Sequence, residues 1–567
     1  MEDDPWDEVA EGIPQLQDPF MQQYFRGREA LIAQEKKQRS DYAFRQSLSP
    51  TAAEASTIVS RIRDDEREIL WTEEEPLNEA PRSTGQAREL MESTKLWKIV
   101  QKMPKGCLLH AHLEAMVELD WLFEKAMATR GIHIRSDTAI DSVIAREKSP
   151  FEFVYSATSA ADGPSIWSSN YLGSQSVPIA VAADSFPDGG RPGFLNWLKT
   201  RCSFTRTDSL EHPRSLNDIW AKFGSIFPIL ESLIFYEPIF RAFVRQLCKQ
   251  LVDDHVRWVD LRACFVWQYR HTGQEEPEDG YEELMRVLEE EIREFQTTEE
   301  GKNFWGARII WTIPRIFSRR EIIESMKQCV EMKLAFPDLI AGFDLVGQED
   351  LGRPLHDLTP ELFWFRKLCM EEGVEIPFFF HAGECHGDGD VTDHNLFDAI
   401  LLGTRRIGHG FSLYKHPLLI DMIKEKKILV ESCPISNEVL GLSGSVMSHP
   451  LPALLARGVP VALCNDDPAI WGPATSAMTR EFWQALQSWE NLGLEGLGSL
   501  AENSIRWAAF TDETNSDWTR DIKDGIFGKG VRAQRLKEWT AEWERFCLWI
   551  VTEFGEDEQE GPEVELE

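Results

Sequence analysis

The stretch Ile376-Pro377-Phe378-Phe379-Phe380-His381-Ala382-Gly383-Glu384 sets a short apolar run against an abrupt polar end. A run of this kind reads as a strand. Seven others share its form, and the eight together occupy 107–112, 256–265, 307–314, 339–347, 376–384, 405–410, 427–434 and 460–468. Stretches of helical character separate them, and that alternation is the signature of repeated βα units around a parallel sheet. Eight such strands close on themselves, so the expected fold class is α/β, a (β/α)8 TIM barrel. Active sites of such barrels lie at the C-terminal strand ends, which is where the polar residues stand here.

Two stretches depart from the simple alternation. Residues 1–95 read as an N-terminal helical extension with Leu31, Ile32, Ile58, Ile62, Ile69 and Leu70 as its apolar stripe. The gap after the first strand is far too long for one connection and contains Gly163-Pro164-Ser165 and Asp188-Gly189-Gly190-Arg191-Pro192, so an insertion is expected at about 130–215. Apolar helices are expected on either side of it, at 116–127 and at about 216–251. The barrel itself is assigned to 96–555, and 556–567 to a solvated acidic tail.

Composition narrows the function classes. Hydrophobic residues make up 42% of the chain and aromatics 11%, including 20 Trp, which describes a folded globular protein. The formal net charge of −35 repels nucleic acid and anionic membranes, so neither is expected as a partner. A neutral small molecule suits that field better. The ten cysteines form no CxxC pair, and the start Met1-Glu2-Asp3-Asp4-Pro5-Trp6 has no secretory character; both favour free thiols and a cytoplasmic location.

The strand ends carry the chemistry. In His110-Ala111-His112 the alternate positions share a face, offering two imidazoles to one metal. Alone, such a pair reads equally as two polar residues at a strand end. The fifth strand adds His381 and Glu384, the sixth ends Ile407-Gly408-His409-Gly410, and the eighth ends Cys464-Asn465-Asp466-Asp467-Pro468. Paired carboxylates at a buried strand end are costly unless a cation accepts one of them. Three imidazoles and one carboxylate, with room for water, favour catalytic zinc, which would bring the pKa of a bound water towards neutrality.

These motifs resemble the adenosine deaminases, and among them the adenosine deaminase-related growth factor branch. The segments are Met103-Pro104-Lys105-Gly106 before His110-Ala111-His112, Gly342-Phe343-Asp344-Leu345-Val346-Gly347, His381-Ala382-Gly383-Glu384, Arg406-Ile407-Gly408-His409-Gly410, Glu431-Ser432-Cys433-Pro434-Ile435-Ser436-Asn437 and Asp466-Asp467-Pro468-Ala469. The resemblance spans roughly 96–554. It implies one Zn2+ per chain held by His110, His112, His381 and Asp466, and hydrolysis of adenosine, with 2′-deoxyadenosine, to the inosine product and ammonia by attack at C6 of the purine. It further implies that Glu384 protonates N1, that His409 orients the water and helps to take its proton, and that Asp467 accepts a hydrogen bond from a protonated N7 or steadies the attacking hydroxide.

For substrate binding the resemblance implies the Gly383 amide at N3, Glu114 near the sugar, Trp220 as a cover and Gly347 as a point of close backbone approach. Trp220 reads equally as a core aromatic, and Gly347 as a strand-to-loop turn. Leu113 stands where the branch tends to place a carboxylate, Gln348 stands where His is common, and the leader and stapling cysteines of its secreted members are missing. An extracellular location, usual for the branch, is the alternative to the cytoplasm. A homodimer through the N-terminal helices is likewise implied. Competing functions are a deaminase of adenine or an adenine nucleotide on the same barrel, or a growth-factor-like binding protein. A second metal site at Cys385-His386-Gly387-Asp388-Gly389-Asp390 is read as an ordinary loop, and His255, His416 and His449 as surface or packing residues. The run Glu289-Glu290-Glu291-Ile292-Arg293-Glu294 is read as a solvated helix face.

Overall fold

The computed structural model describes residues 12–70, 85–157, 163–204, 215–387 and 389–555. The acidic tail expected at 556–567 and Asp388 lie outside the described residues, as do the side chains of Ile69 and Leu70. Its strands are β1 (Gly106–His112), β2 (Ile132–Arg135), β3 (Glu152–Tyr155), β4 (Val177–Pro178), β5 (Val256–Cys264), β6 (Gly306–Pro314), β7 (Ile340–Val346), β8 (His381–Ala382), β9 (Arg406–His409), β10 (Leu429–Ser432) and β11 (Val461–Leu463).

Eight of these form the barrel. Parallel pairing runs β1-β5-β6-β7 in one half and β8-β9-β10-β11 in the other. Two isolated parallel bridges close the cylinder. Phe343 pairs with Phe378, whose neighbour Phe379 donates its amide to Phe343 O at 3.1 Å; Ala111 pairs with Asp466, and the His112 amide donates to Asp466 O at 3.0 Å. Burial on both faces explains the continuous apolar runs, and every residue of β7 is buried. The strand read at 376–384 keeps regular pairing only at His381–Ala382; beyond the Phe343–Phe378 bridge the Leu345 and His381 amides, which would continue the ladder with β7, both donate to Asp344 Oδ1.

Between β1 and β5 a small antiparallel sheet, ordered β3-β2-β4, stands beside helices Val143–Lys148, Ile179–Asp184 and Gly190–Arg201. The single helix expected at 216–251 is two. The first helices to label are α1 (Pro19–Lys36), α2 (Pro50–Leu70), α3 (Leu216–Ile234) and α4 (Glu237–Asp253), and the chain turns at Phe235–Tyr236 between the last two. Pro238 contributes: it has no amide to donate to the Ile234 carbonyl in a helix running on from α3, and it sits comfortably in a new first turn.

The N-terminal stripe is also divided. Ile58 and Ile62 of α2 are buried, whereas Leu31 and Ile32 of α1 are exposed. Helices α5 (Glu282–Gln296) and α6 (Val531–Phe554) complete the relevant frame, α6 packing along α2. The charge run on α5 is not a wholly solvated face: Glu291 is fully buried, with Arg241 at 2.9 Å and a close contact to Arg245. All ten cysteines are free. Among the described residues no helix is long and apolar enough to cross a membrane.

Candidate metal centre and active site

The C-terminal ends of β1, β8, β9 and β11 meet at one mouth of the barrel, bringing together side chains far apart in sequence. One ligand atom each from His110, His112, His381 and Asp466 lies within 4.8 Å of the others. Asp466 Oδ1 is 3.1 Å from His110 Nε2 and 3.3 Å from His112 Nε2. Donors that share one four-coordinate ion stand about 3.3–3.6 Å apart, and these two spacings lie at or slightly inside that range's lower end. His110 Nε2 and Asp466 Oδ1 are buried without a hydrogen-bond partner. Two orphaned polar atoms aimed at one point are what a cation would satisfy, and the four residues fit a metal.

The protonation states fit as well. Burial holds His381 down to about 3 despite Asp344, and burial lowers His112 too, so both rings are neutral, as ligands must be. Burial alone would push the Asp466 carboxyl up, but the close approach of the His110 and His112 rings holds it well below the carboxylate range. An overlapping group, His110, His409, Cys433 and Asp466, is equally compact. Burial keeps the Cys433 thiol well above its ordinary value, so that set would have to deprotonate a buried thiol, and the His3Asp set has the simpler chemistry.

Behind the ligands stands a charged layer whose roles the sequence reading did not assign. His110 Nδ1 is 2.9 Å from Glu431 Oε2, and His381 Nδ1 is 2.6 Å from Asp344 Oδ2. Arg262 donates to both carboxylates, at 2.7 and 2.8 Å. Arg406 donates to the other Glu431 oxygen and to Asp260 at 2.9 Å. Ser436 Oγ donates to Asp466 Oδ2 at 2.7 Å. The signal was present: Asp344 between Phe343 and Leu345, and Glu431 after Val430, are charges inside apolar strands, which require partners.

The proposed catalytic groups ring the ligand set. His409 Nε2 lies 3.4 Å from Glu384 Oε1 and 3.8 Å from Asp466 Oδ2. Burial, then the charges of Asp466 and Glu349, push the Glu384 carboxyl well above its usual range, which favours its protonated form. Asp467 is buried with both oxygens unpartnered and is pushed the same way, by burial first and then by Asp466, Glu114 and Glu384. Its unpartnered carboxyl group is free to hydrogen-bond a substrate. His409 and Asp466 both sit in the left-handed region, at φ 61° and 57°, at about 1–3 kcal/mol each for non-glycine residues. Gly408 must be glycine, since a Cβ there would come within 2.8 Å of the His110 ring.

The structure places the expected substrate contacts unevenly. Glu114 is buried, accepts the Cys264 amide at 3.0 Å, and is raised by burial to about 7. Gly347 has φ 90° with open space where a Cβ would point. The Gly383 amide donates to Glu349 Oε2 at 3.3 Å, and the Glu384 amide to Glu349 Oε1 at 2.8 Å, making Glu349 a further site carboxylate. Trp220 is buried on α3 but stands behind two rings: it meets Phe223 at 5.3 Å, Phe223 meets Phe227 at 5.0 Å, and Phe227 meets His112 at 6.5 Å. Phe227, which the sequence reading missed, is the α3 aromatic nearest the ligands among these. Trp471, four residues after Asp467, stacks on Phe223 at 5.2 Å and completes the wall.

Comparison with known proteins adds an independent line. A family model described as adenosine deaminase matches residues 206–526. Adenosine deaminase 2-A of Danio rerio is 30% identical over 437 residues, covering 76% of this chain and 80% of that protein. An adenosine deaminase of Lutzomyia longipalpis is 31% identical over 459 residues, covering 80% of each. Among solved structures, adenine deaminase from Arthrobacter aurescens aligns with a TM-score of 0.47 and 16% identity, over 75% of this chain and 100% of that one.

Proposed function

We propose, from the premise that the chain belongs to the adenosine deaminase family of metal-dependent hydrolases, that it converts adenosine, and 2′-deoxyadenosine, with water to the inosine product and ammonia, using zinc. The observation that carries this reading is the meeting of His110, His112, His381 and Asp466 beside the proton-bearing Glu384.

In this reading those four residues hold the ion, and bound zinc supplies a water acidic enough to attack near neutral pH. Glu384 gives its proton to N1 of the purine as oxygen adds at C6, which draws electron density out of the ring and makes C6 electrophilic. His409 orients the water. Asp467, whose unpartnered carboxyl is raised like that of Glu384, donates a hydrogen bond to N7 or steadies the attacking group. Glu114 lies on the sugar side, and Gly347 lets backbone approach the nucleoside. A cluster of buried carboxyl groups with a net charge of −35 around it disfavours a phosphorylated substrate, which supports nucleoside over nucleotide.

The test is ultraviolet-monitored turnover of adenosine, adenine and AMP by purified protein, before chelation, after it, and after zinc is restored. Adenosine is expected to be the preferred substrate, with activity lost on chelation and regained with zinc. Preference for AMP or adenine overturns the substrate, and full activity in metal-free protein overturns the metal.

A further inference from the structure

A hydrogen-bonded chain enters the site from behind His409, and it starts at a group whose polarity is fixed. The backbone amide of Leu451 donates to His449 Nδ1 at 3.1 Å. Nδ1 is therefore the acceptor, and a neutral His449 must carry its proton on Nε2. The ring is neutral, since burial brings it down to about 3. Edge contacts to Phe411 at 5.3 Å and a tilted contact to Trp489 at 6.2 Å hold its plane.

From there each step follows from the last. His449 Nε2–H donates to Asn437 Oδ1 at 3.0 Å, which turns the amide nitrogen of Asn437 towards His409. That nitrogen donates to His409 Nδ1 at 3.1 Å. With Nδ1 accepting, neutral His409 carries its proton on Nε2, the nitrogen facing Glu384 and Asp466. The opposite tautomer would set one N–H against another inside the protein, leaving a buried donor unsatisfied at about 1–3 kcal/mol.

We propose that Asn437 and His449 are positioning residues that lock His409 as the Nε2–H tautomer, so that this ring meets the reacting water as a hydrogen-bond donor and not as a base. The inference rests on the reading that His409 stands beside the reacting atoms. His449 acts only through Asn437, and Asn437 only through His409. The Asn437 backbone is itself firmly anchored, because its carbonyl oxygen accepts the amides of Leu442 and Ser443, at 2.9 and 3.0 Å.

The deciding variant is Asn437→Asp, nearly isosteric but without a donor. A carboxylate there still accepts from His449 and now demands a proton on His409 Nδ1, which reverses the tautomer. Imidazole nitrogen NMR of the 15N-histidine-labelled zinc protein reads this directly, with the His409 resonances assigned by their loss in His409→Gln. The native spectrum is expected to place the proton of His409 on Nε2, and Asn437→Asp to move it to Nδ1. In the same variant kcat is expected to fall by about 10²–10⁴, the scale of a wrong-tautomer histidine, with KM within about threefold and zinc content unchanged. His449→Gln, whose amide can still donate to Asn437, is expected to keep kcat within about tenfold, and His449→Leu to lose more. A native His409 protonated on Nδ1, or Asn437→Asp at native kcat, overturns the proposal. The native spectrum does not depend on the substrate: a protein with the expected tautomer and no turnover of adenosine would sink the function proposed above and leave the tautomer standing.

Discussion

His381 and Asp344 are joined at two points: the ring Nδ1 lies 2.6 Å from Asp344 Oδ2, and the His381 backbone amide donates to Asp344 Oδ1 at 2.9 Å. A carboxylate that holds both the ring and the backbone behind it leaves Nε2 as the only nitrogen free for a metal. Arg262 and the His381 ring keep Asp344 ionised against its burial. Asp344→Asn keeps the shape but removes the charge, and is expected to weaken metal affinity about 10- to 100-fold. Competition against a chromophoric chelator measures this; unchanged affinity would mean that the contact only packs the strand.

Glu384 is set apart from the ligands by its protonation state. Because it carries a proton, Glu384→Gln changes little in charge, and the metal centre is expected to stay loaded. What disappears is the transferable proton, and kcat is expected to fall by about 10²–10⁴. Turnover and metal analysis on one sample separate the two effects. Substantial residual activity would place the proton donor elsewhere.

Glu231 on α3 and Glu114 share a buried region. Burial, and then the charge of Glu114, hold Glu231 well above the usual range, and burial holds Glu114 near 7. When the folded pKa is the higher one, the unfolded chain releases its proton first as pH rises. Stability contributed by the protonated group is then complete below about 4.3, the unfolded value, and is lost as pH climbs through the folded value. Glu231→Gln cannot ionise, so its melting temperature is expected to exceed that of the parent at pH 8 and to converge with it near pH 4.5. Equal melting temperatures at both pH values would contradict the assigned direction.

The barrel was legible because each strand announces itself locally, as a short apolar run with a polar end, and each candidate ligand stands at such an end. The rule that strand ends share a mouth put His110, His112, His381 and Asp466 in one place, but choosing them over His409 and Asp467 rested on the resemblance to adenosine deaminases. What stayed hidden depends on distance in sequence. Glu431 matters because His110, 321 residues away, leans on it. His449 read as a surface or packing residue because nothing in the sequence ties it to Asn437, 12 residues away. The left-handed conformations of His409 and Asp466 carry no signal in the sequence, since non-glycine residues seldom adopt them. Trp220 was placed at the site by resemblance, yet the ring nearest His112 on that helix is Phe227, two turns further along. The split between α3 and α4 had only an ambiguous signal, since Pro238 opens α4 whereas Pro228 lies inside α3 without breaking it.

Helix α1 buries none of its residues, yet Phe20, Tyr24 and Leu31 are exposed on it, Phe20 at 57% and Leu31 at 68%. At about 100° per residue these three fall within an arc of roughly 40°, a continuous apolar stripe turned to solvent. A helix with such a stripe gains little from lying bare, and a second copy of the same helix offers a matching face, as isologous dimers require. This stripe is proposed as the dimer surface. Sedimentation equilibrium at micromolar concentration is expected to give twice the 65.0 kDa chain mass. Phe20→Glu with Leu31→Glu is expected to give the monomer, with metal content unchanged because neither residue approaches the barrel mouth. A parent protein that is monomeric at that concentration, or a double variant that still dimerises, would move the interface away from α1.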